Sequence, residues 1–135
     1  MLKSLFIATF LTGLLLAPTR TSAQTASAAA NPSNIGFVLY TKSHAPGTLN
    51  ARWIYGSKYR GPGIATGGPR DGYVGKYHVR YFLENGEFSD EYELVIEKSG
   101  DVYTVSWITG GTLSATGVGM EVEDGLAVGW RRVAD

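Results

Sequence analysis

Apolar and polar positions alternate with a period of two through most of the second half of this chain. Residues 77–83 have Tyr, Val, Tyr and Leu at odd positions, and residues 91–97 carry apolar side chains between glutamates. Such alternation is typical of a strand with one buried and one solvated face. Asn85-Gly86, between these two segments, suits the positive φ angles of a tight hairpin. The pattern therefore predicts antiparallel β-structure.

Clusters of Gly, Pro, Asn and Asp divide the chain into eight such segments, and no amphipathic helix is expected after the N-terminal region. The predicted strands are residues 35–41, 49–55, 59–66, 77–83, 91–97, 103–107, 113–120 and 126–133. Pro62 makes the third an irregular or edge strand. Short sequential connections favour an up-and-down meander, and closing it removes its exposed edges. The predicted fold is all-β, an eight-stranded antiparallel meander barrel with room inside for side chains or one small ligand.

A repeat supports this regular architecture. Trp53 is followed by Gly61 and Gly63, and Trp107 by Gly117 and Gly119, before an Asp-Gly pair and a final aromatic in each copy. Repetition at this scale indicates repeated strand and turn units. We expect both tryptophans to be largely buried.

The N-terminal residues are predicted to lie outside the barrel. Lys3, an apolar run from residue 5 to 16 and small residues before Gln24 match a secretory signal peptide over residues 1–23. The alternative is an uncleaved N-terminal anchor. Residues 24–34 lack apolar periodicity and predict a disordered leader, and residues 35–135 form the single predicted domain. The expected localisation is periplasmic or secreted, with a mature N-terminus between residues 24 and 30.

Composition narrows the classes of function. The chain has 12 basic and 12 acidic side chains and no Cys, and removal of residues 1–23 leaves a slightly acidic domain. That charge argues against a nucleic-acid partner, and no later segment is apolar enough for a membrane span in the mature chain. Without disulfides, stability has to come from packing.

Few residues suggest catalysis. His44 and His78 have no metal-ligand spacing, and no Gly-x-Ser-x-Gly elbow is present. A solvated strand face explains the glutamates of residues 91–97, and turns explain the Gly-rich segments. We expect neither enzymatic activity nor a metal or other cofactor.

Aromatic side chains at inward positions are the remaining candidates for a site. The candidate ligand-binding residues are Trp53, Tyr55, Tyr77, Tyr81, Tyr103 and Trp107. Their polar tips suit a ligand-binding interior, whereas a fully packed core favours Leu, Ile and Val. The alternative is that these rings fill the core and plug the barrel ends.

The early Trp53, within Gly47–Trp53, and a closing strand with Trp130, Arg131 and Arg132 resemble the calycin group, which includes lipocalins and avidins. The segment from Gly117 to Trp130 also resembles exported bacterial proteins of uncharacterised function. The resemblance covers residues 35–133 and implies a small ligand-binding barrel. Ala51 stands where the lipocalin signature has Gly, so ligand identity does not carry over.

These observations predict an exported barrel that binds a small apolar or amphipathic ligand. The alternative is a protein-binding module, such as an inhibitor of an envelope or extracellular enzyme, acting through loops 43–47 and 67–72. Closure also predicts that Arg132, on the same face as Trp130, covers an aromatic ring at one barrel end while Arg131 points outward.

Overall fold

Residues 31–133 are described by a computed structural model, and the predicted signal peptide and most of the predicted leader lie outside them. The strands are β1 (Gly36–Lys42), β2 (Leu49–Tyr55), β3 (Tyr59–Thr66), β4 (Gly75–Phe82), β5 (Phe88–Ser99), β6 (Val102–Thr109), β7 (Thr112–Val122) and β8 (Gly125–Arg132). Every neighbouring pair is antiparallel, and β8 pairs with β1 to close the barrel. The all-β, eight-stranded meander barrel predicted from the sequence is confirmed.

Inward positions of all eight strands build one core. Its fully buried members include Val38, Leu49, Val79, Leu94, Ile96, Val105, Leu126 and Val128. These side chains belong to one parity in each strand, because successive residues face opposite sides of a sheet. The period of two in the sequence therefore marks the interior.

The barrel wall is continuous except beside the first half of β3. Only Gly63–Thr66 of β3 pair with β4, whereas all seven residues of β2 pair with β3. Trp53 bridges this gap, since its indole N–H donates to the carbonyls of Pro62 (3.2 Å) and Phe82 (3.1 Å). The prediction of an irregular strand around Pro62 thus corresponds to this break in pairing.

The sequence repeat corresponds to equivalent strand pairs on the two sides of the barrel. Trp53 pairs with Gly61, and Trp107 pairs with Ala115, so each tryptophan faces the residue eight positions later. Trp107 is buried, as predicted, but Trp53 is only partly buried. Trp53 packs against the core but is less buried than Trp107, because its ring borders the gap beside β3 and the cavity described below.

The closing strand behaves as predicted. Trp130 pairs with Gly36, and the indole lies so close to the glycine that a Cβ there would be 2.3 Å from its ring. The Arg132 guanidinium lies over the ring of Tyr55, 5.4 Å from its centroid. Arg131 lines a shallow groove on the outer surface. The inward and outward assignments of the two arginines are therefore confirmed.

Candidate functional site

One end of the barrel is closed by tyrosines and a loop. The hydroxyl of Tyr77 donates to the backbone carbonyl of Tyr73 at 2.9 Å, and the rings of Tyr73 and Tyr103 meet edge to face. Gly68 of the β3–β4 loop packs directly on the ring of Tyr77, where a Cβ would approach within 2.0 Å. Tyr77 and Tyr103, two of the predicted ligand-binding residues, therefore plug this end.

The loops that the protein-binding alternative relies on lie at the same closed end. Gly68 donates its backbone N–H to the carbonyl of Gly47 at 3.0 Å, which joins the β3–β4 loop to the β1–β2 loop. Lys42 Nζ lies 5.4 Å from the centroid of the Tyr73 ring. The two loops form one connected surface rather than two projecting segments.

The opposite end contains an open cavity of about 550 Å³. Its size lies within the usual range for small-molecule sites. The aromatic residues that line it are Trp53, Tyr55, Tyr59, Tyr81, Tyr92, Trp107 and Trp130. The candidate residues from the sequence are thus divided, with Trp53, Tyr55, Tyr81 and Trp107 at the cavity.

The cavity walls are stacked aromatic rings. Tyr55 and Trp130 stack nearly parallel, with centroids 5.0 Å apart and an interplanar angle of 13°. Trp130 also contacts Trp107, with centroids 5.9 Å apart. The Trp53 ring meets Tyr81 edge to face at 6.1 Å. These contacts hold flat apolar surfaces in fixed orientations, as a preformed site for an apolar body requires.

A buried hydrogen-bond network forms the cavity floor. Trp107 donates its indole N–H to the Tyr81 hydroxyl at 2.8 Å, and the hydroxyls of Tyr81 and Tyr40 are 2.6 Å apart. Burial raises the pKa of both tyrosines well above the ordinary value, so both carry their protons at neutral pH.

The two hydroxyls and the indole N–H of this network offer three donor hydrogens but form two hydrogen bonds, so one hydroxyl hydrogen has no acceptor among the described residues. Tyr40 is fully buried and does not line the cavity, whereas Tyr81 does. Either hydroxyl can donate in the bond between Tyr40 and Tyr81. Both hydroxyls are buried, so an unused donor costs about 1–3 kcal/mol whichever residue carries it.

Charged side chains lie at the mouth of the cavity. Arg132 and Asp90 both line it, and the Tyr92 hydroxyl donates to Asp90 Oδ2. Burial and this hydrogen bond raise the pKa of Tyr92, so the phenol keeps its proton. Glu91 also borders the mouth, but its Oε1 is engaged by His78 (3.1 Å) and Arg80 (3.5 Å).

Several cavity residues were absent from the sequence-based set. Tyr92 and Trp130 occupy the same inward parity as core residues of their strands, so alternation alone could have included them. Tyr59 and Asp90 lie at strand beginnings, where alternation gives little signal. Within residues 31–133 no group of three or more His, Cys, Asp or Glu is placed to hold a metal ion.

No family model, curated protein or solved structure matches this chain. Of the fold that the expected likeness to the calycin group implies, the eight-stranded antiparallel barrel is confirmed. The described residues include no helix of the length and apolar character needed to cross a bilayer.

Proposed function

We propose that this protein binds a small apolar or amphipathic molecule in the cavity at the open end of its barrel. One observation carries the proposal: a cavity of about 550 Å³ lined largely by aromatic rings opens at one end, while tyrosines close the other. An interior filled to both ends would instead favour the protein-binding alternative. The signal-like residues 1–23 support a periplasmic or secreted location for this binding.

A fluorescence titration with N-phenyl-1-naphthylamine tests the proposal, because this uncharged dye brightens in apolar surroundings. Ala115 lines the cavity, so Ala115→Phe should fill it and abolish binding. Ala127→Phe is the matched control, since Ala127 has the outward parity of β8 and does not line the cavity. Both variants should keep the β-sheet circular dichroism spectrum.

Saturable binding by the wild-type protein and by Ala127→Phe, with loss in a folded Ala115→Phe, is the expected outcome. Absence of saturable binding by the wild-type protein, both of this dye and of the indole probes described below, would refute the proposal. Equal binding by both variants would place the dye elsewhere on the molecule and would count equally against it.

A further inference from the structure

The cavity mouth carries charges of opposite sign on different walls. Arg132 lies on β8 and Asp90 on β5, and both side chains line the cavity. In the closed strand order, β5 and β8 are separated by β6 and β7 on one side and by four strands on the other. The two groups therefore lie on different walls of the cavity, and they form no ion pair with each other.

Arg132 is placed to bind an anion. Its guanidinium lies over Tyr55, and within residues 31–133 only the backbone atoms of Arg132 take part in hydrogen bonds, so the N–H groups at the guanidinium edge can face a carboxylate. None of the ion pairs between residues 31 and 133 includes Arg132. Its backbone is fixed by Asn34, whose Oδ1 accepts the Arg132 N–H at 2.7 Å. A bound anion would thus meet an oriented cation.

Asp90 is placed to bind a donor. The Tyr92 hydroxyl uses one acceptor position on Oδ2. A carboxylate offers about four such positions, so Oδ1 retains capacity for an ammonium or N–H group. Asp90 differs in this from Glu91, which the outward-facing His78 and Arg80 engage.

We propose that the ligand has a flat apolar body, which lies between the aromatic walls, and a head that carries both an anionic group for Arg132 and an ammonium or N–H donor for Asp90. A purely anionic head would meet Asp90 at the mouth, and a purely cationic head would meet Arg132. Only a head with both signs complements both walls. This inference rests on the proposed function and specifies the chemical class of its ligand.

The inference about the head group is tested by isothermal titration calorimetry of the purified protein with three probes that share an indole body. L-Tryptophan carries both charges, indole-3-propionate only the negative one and tryptamine only the positive one. We expect L-tryptophan to bind about tenfold more tightly than either analogue, the effect of one charge-assisted hydrogen bond.

Substitutions of Arg132 and Asp90 test which side chain binds each charge of the ligand head group. Arg132→Gln should weaken L-tryptophan about tenfold and leave tryptamine binding as tight or tighter. Asp90→Asn keeps an acceptor for Tyr92, and it should weaken L-tryptophan while indole-3-propionate binds as tightly or more tightly. Arg131→Gln, on the outer face, is the matched control and should change none of the affinities.

The pattern of results separates the two proposals. Equal affinity for the three indoles, or tightest binding of a singly charged one, overturns the inference about the head group. If N-phenyl-1-naphthylamine binds in the same protein, ligand binding in the cavity stands despite that failure. If neither the dye nor any indole binds, the proposed function itself fails.

Discussion

The side-chain amide of Asn34 pairs with the backbone of Arg132 as a neighbouring strand would. Oδ1 of Asn34 accepts the Arg132 N–H at 2.7 Å, and its Nδ2 donates to the Arg132 carbonyl at 3.2 Å. Backbone pairing between β1 and β8 reaches only to Gly36 and Trp130, so Asn34 extends the closure by one step. Asn34 also accepts from the Tyr55 hydroxyl at 3.3 Å. The predicted leader thus ends in a residue that helps to build the cavity mouth.

Replacing Asn34 should loosen the barrel closure. Asn34→Ala removes two hydrogen bonds to Arg132 and should lower the free energy of unfolding by about 1–3 kcal/mol. Asn34 has φ 49°, a left-handed conformation that suits Gly better than Ala. Asn34→Gly is therefore the control that removes the side chain without backbone strain. Urea denaturation and hydrogen exchange at the Arg132 amide measure the effect, and an unchanged exchange rate in Asn34→Gly would contradict it.

The two tryptophans of the repeat should differ in their contribution to stability. Trp107 is buried and donates to Tyr81, so Trp107→Ala should destabilise the fold by about 3–5 kcal/mol. Trp53 is only partly buried, and Trp53→Ala should cost less. Chemical denaturation of both variants checks this order. Equal midpoints for wild type and Trp107→Ala would show that the floor network contributes nothing.

The neighbouring arginines of β8 should also differ. Arg132→Ala removes a cation–π contact with Tyr55, worth about 0.5–1 kcal/mol at an exposed site. Arg131→Ala should be close to neutral, because within residues 31–133 its guanidinium donates only to the Arg132 carbonyl, at 3.3 Å on the outer surface. Thermal denaturation of the pair compares them. A larger loss of stability in Arg131→Ala would reverse the assignment of inward and outward faces.

Stability should fall in alkaline solution. Desolvation raises the pKa of Tyr77 to about 12, and burial also raises the pKa values of Tyr40 and Tyr81 above the ordinary value of 10.0. Unfolded tyrosines release protons at lower pH than these native ones. Their contribution to stability is therefore fully present below pH 10 and is lost as the pH rises through the native values.

Urea denaturation at a series of pH values from about 8 to about 11 measures this alkaline loss. Tyr40→Phe removes one of the raised groups and should make the decline shallower. A free energy of unfolding that stays constant across the series would contradict the prediction. A slope unaltered by Tyr40→Phe would show that Tyr40 does not contribute to it.

The fold was predictable because its signals are local. The flanking turn residues placed β2 and β3 at their observed bounds, and Asn85-Gly86 lies in the turn between β4 and β5. Closure of the barrel was predicted because it removes exposed sheet edges, and the pairing of Trp130 with Gly36 is part of that closure. These features depend on residues close in sequence or on the geometry common to all meander barrels.

The site was only partly predictable, because inward parity does not say how far along the barrel a side chain lies. Tyr77 and Tyr81 share a face of β4, yet Tyr77 plugs the closed end and Tyr81 borders the cavity. The difference arises from the β3–β4 loop, which brings Tyr73 and Gly68 over one end. Loop conformation of this kind has no period in the sequence. The contact between Asn34 and Arg132 was not predicted for a similar reason, since the two residues are 98 positions apart in the sequence.

The position of Asn34 beside Arg132 also decides how the domain can be tethered. The beginning of β1 and the end of β8 lie together at the cavity mouth, so a fusion partner joined directly before Asn34 or directly after Arg132 would stand next to the opening. Immobilisation through such a junction would turn the mouth toward the support and restrict access to it. A handle inserted at Asp124 in the β7–β8 turn, at the closed end, would present the mouth to solution instead.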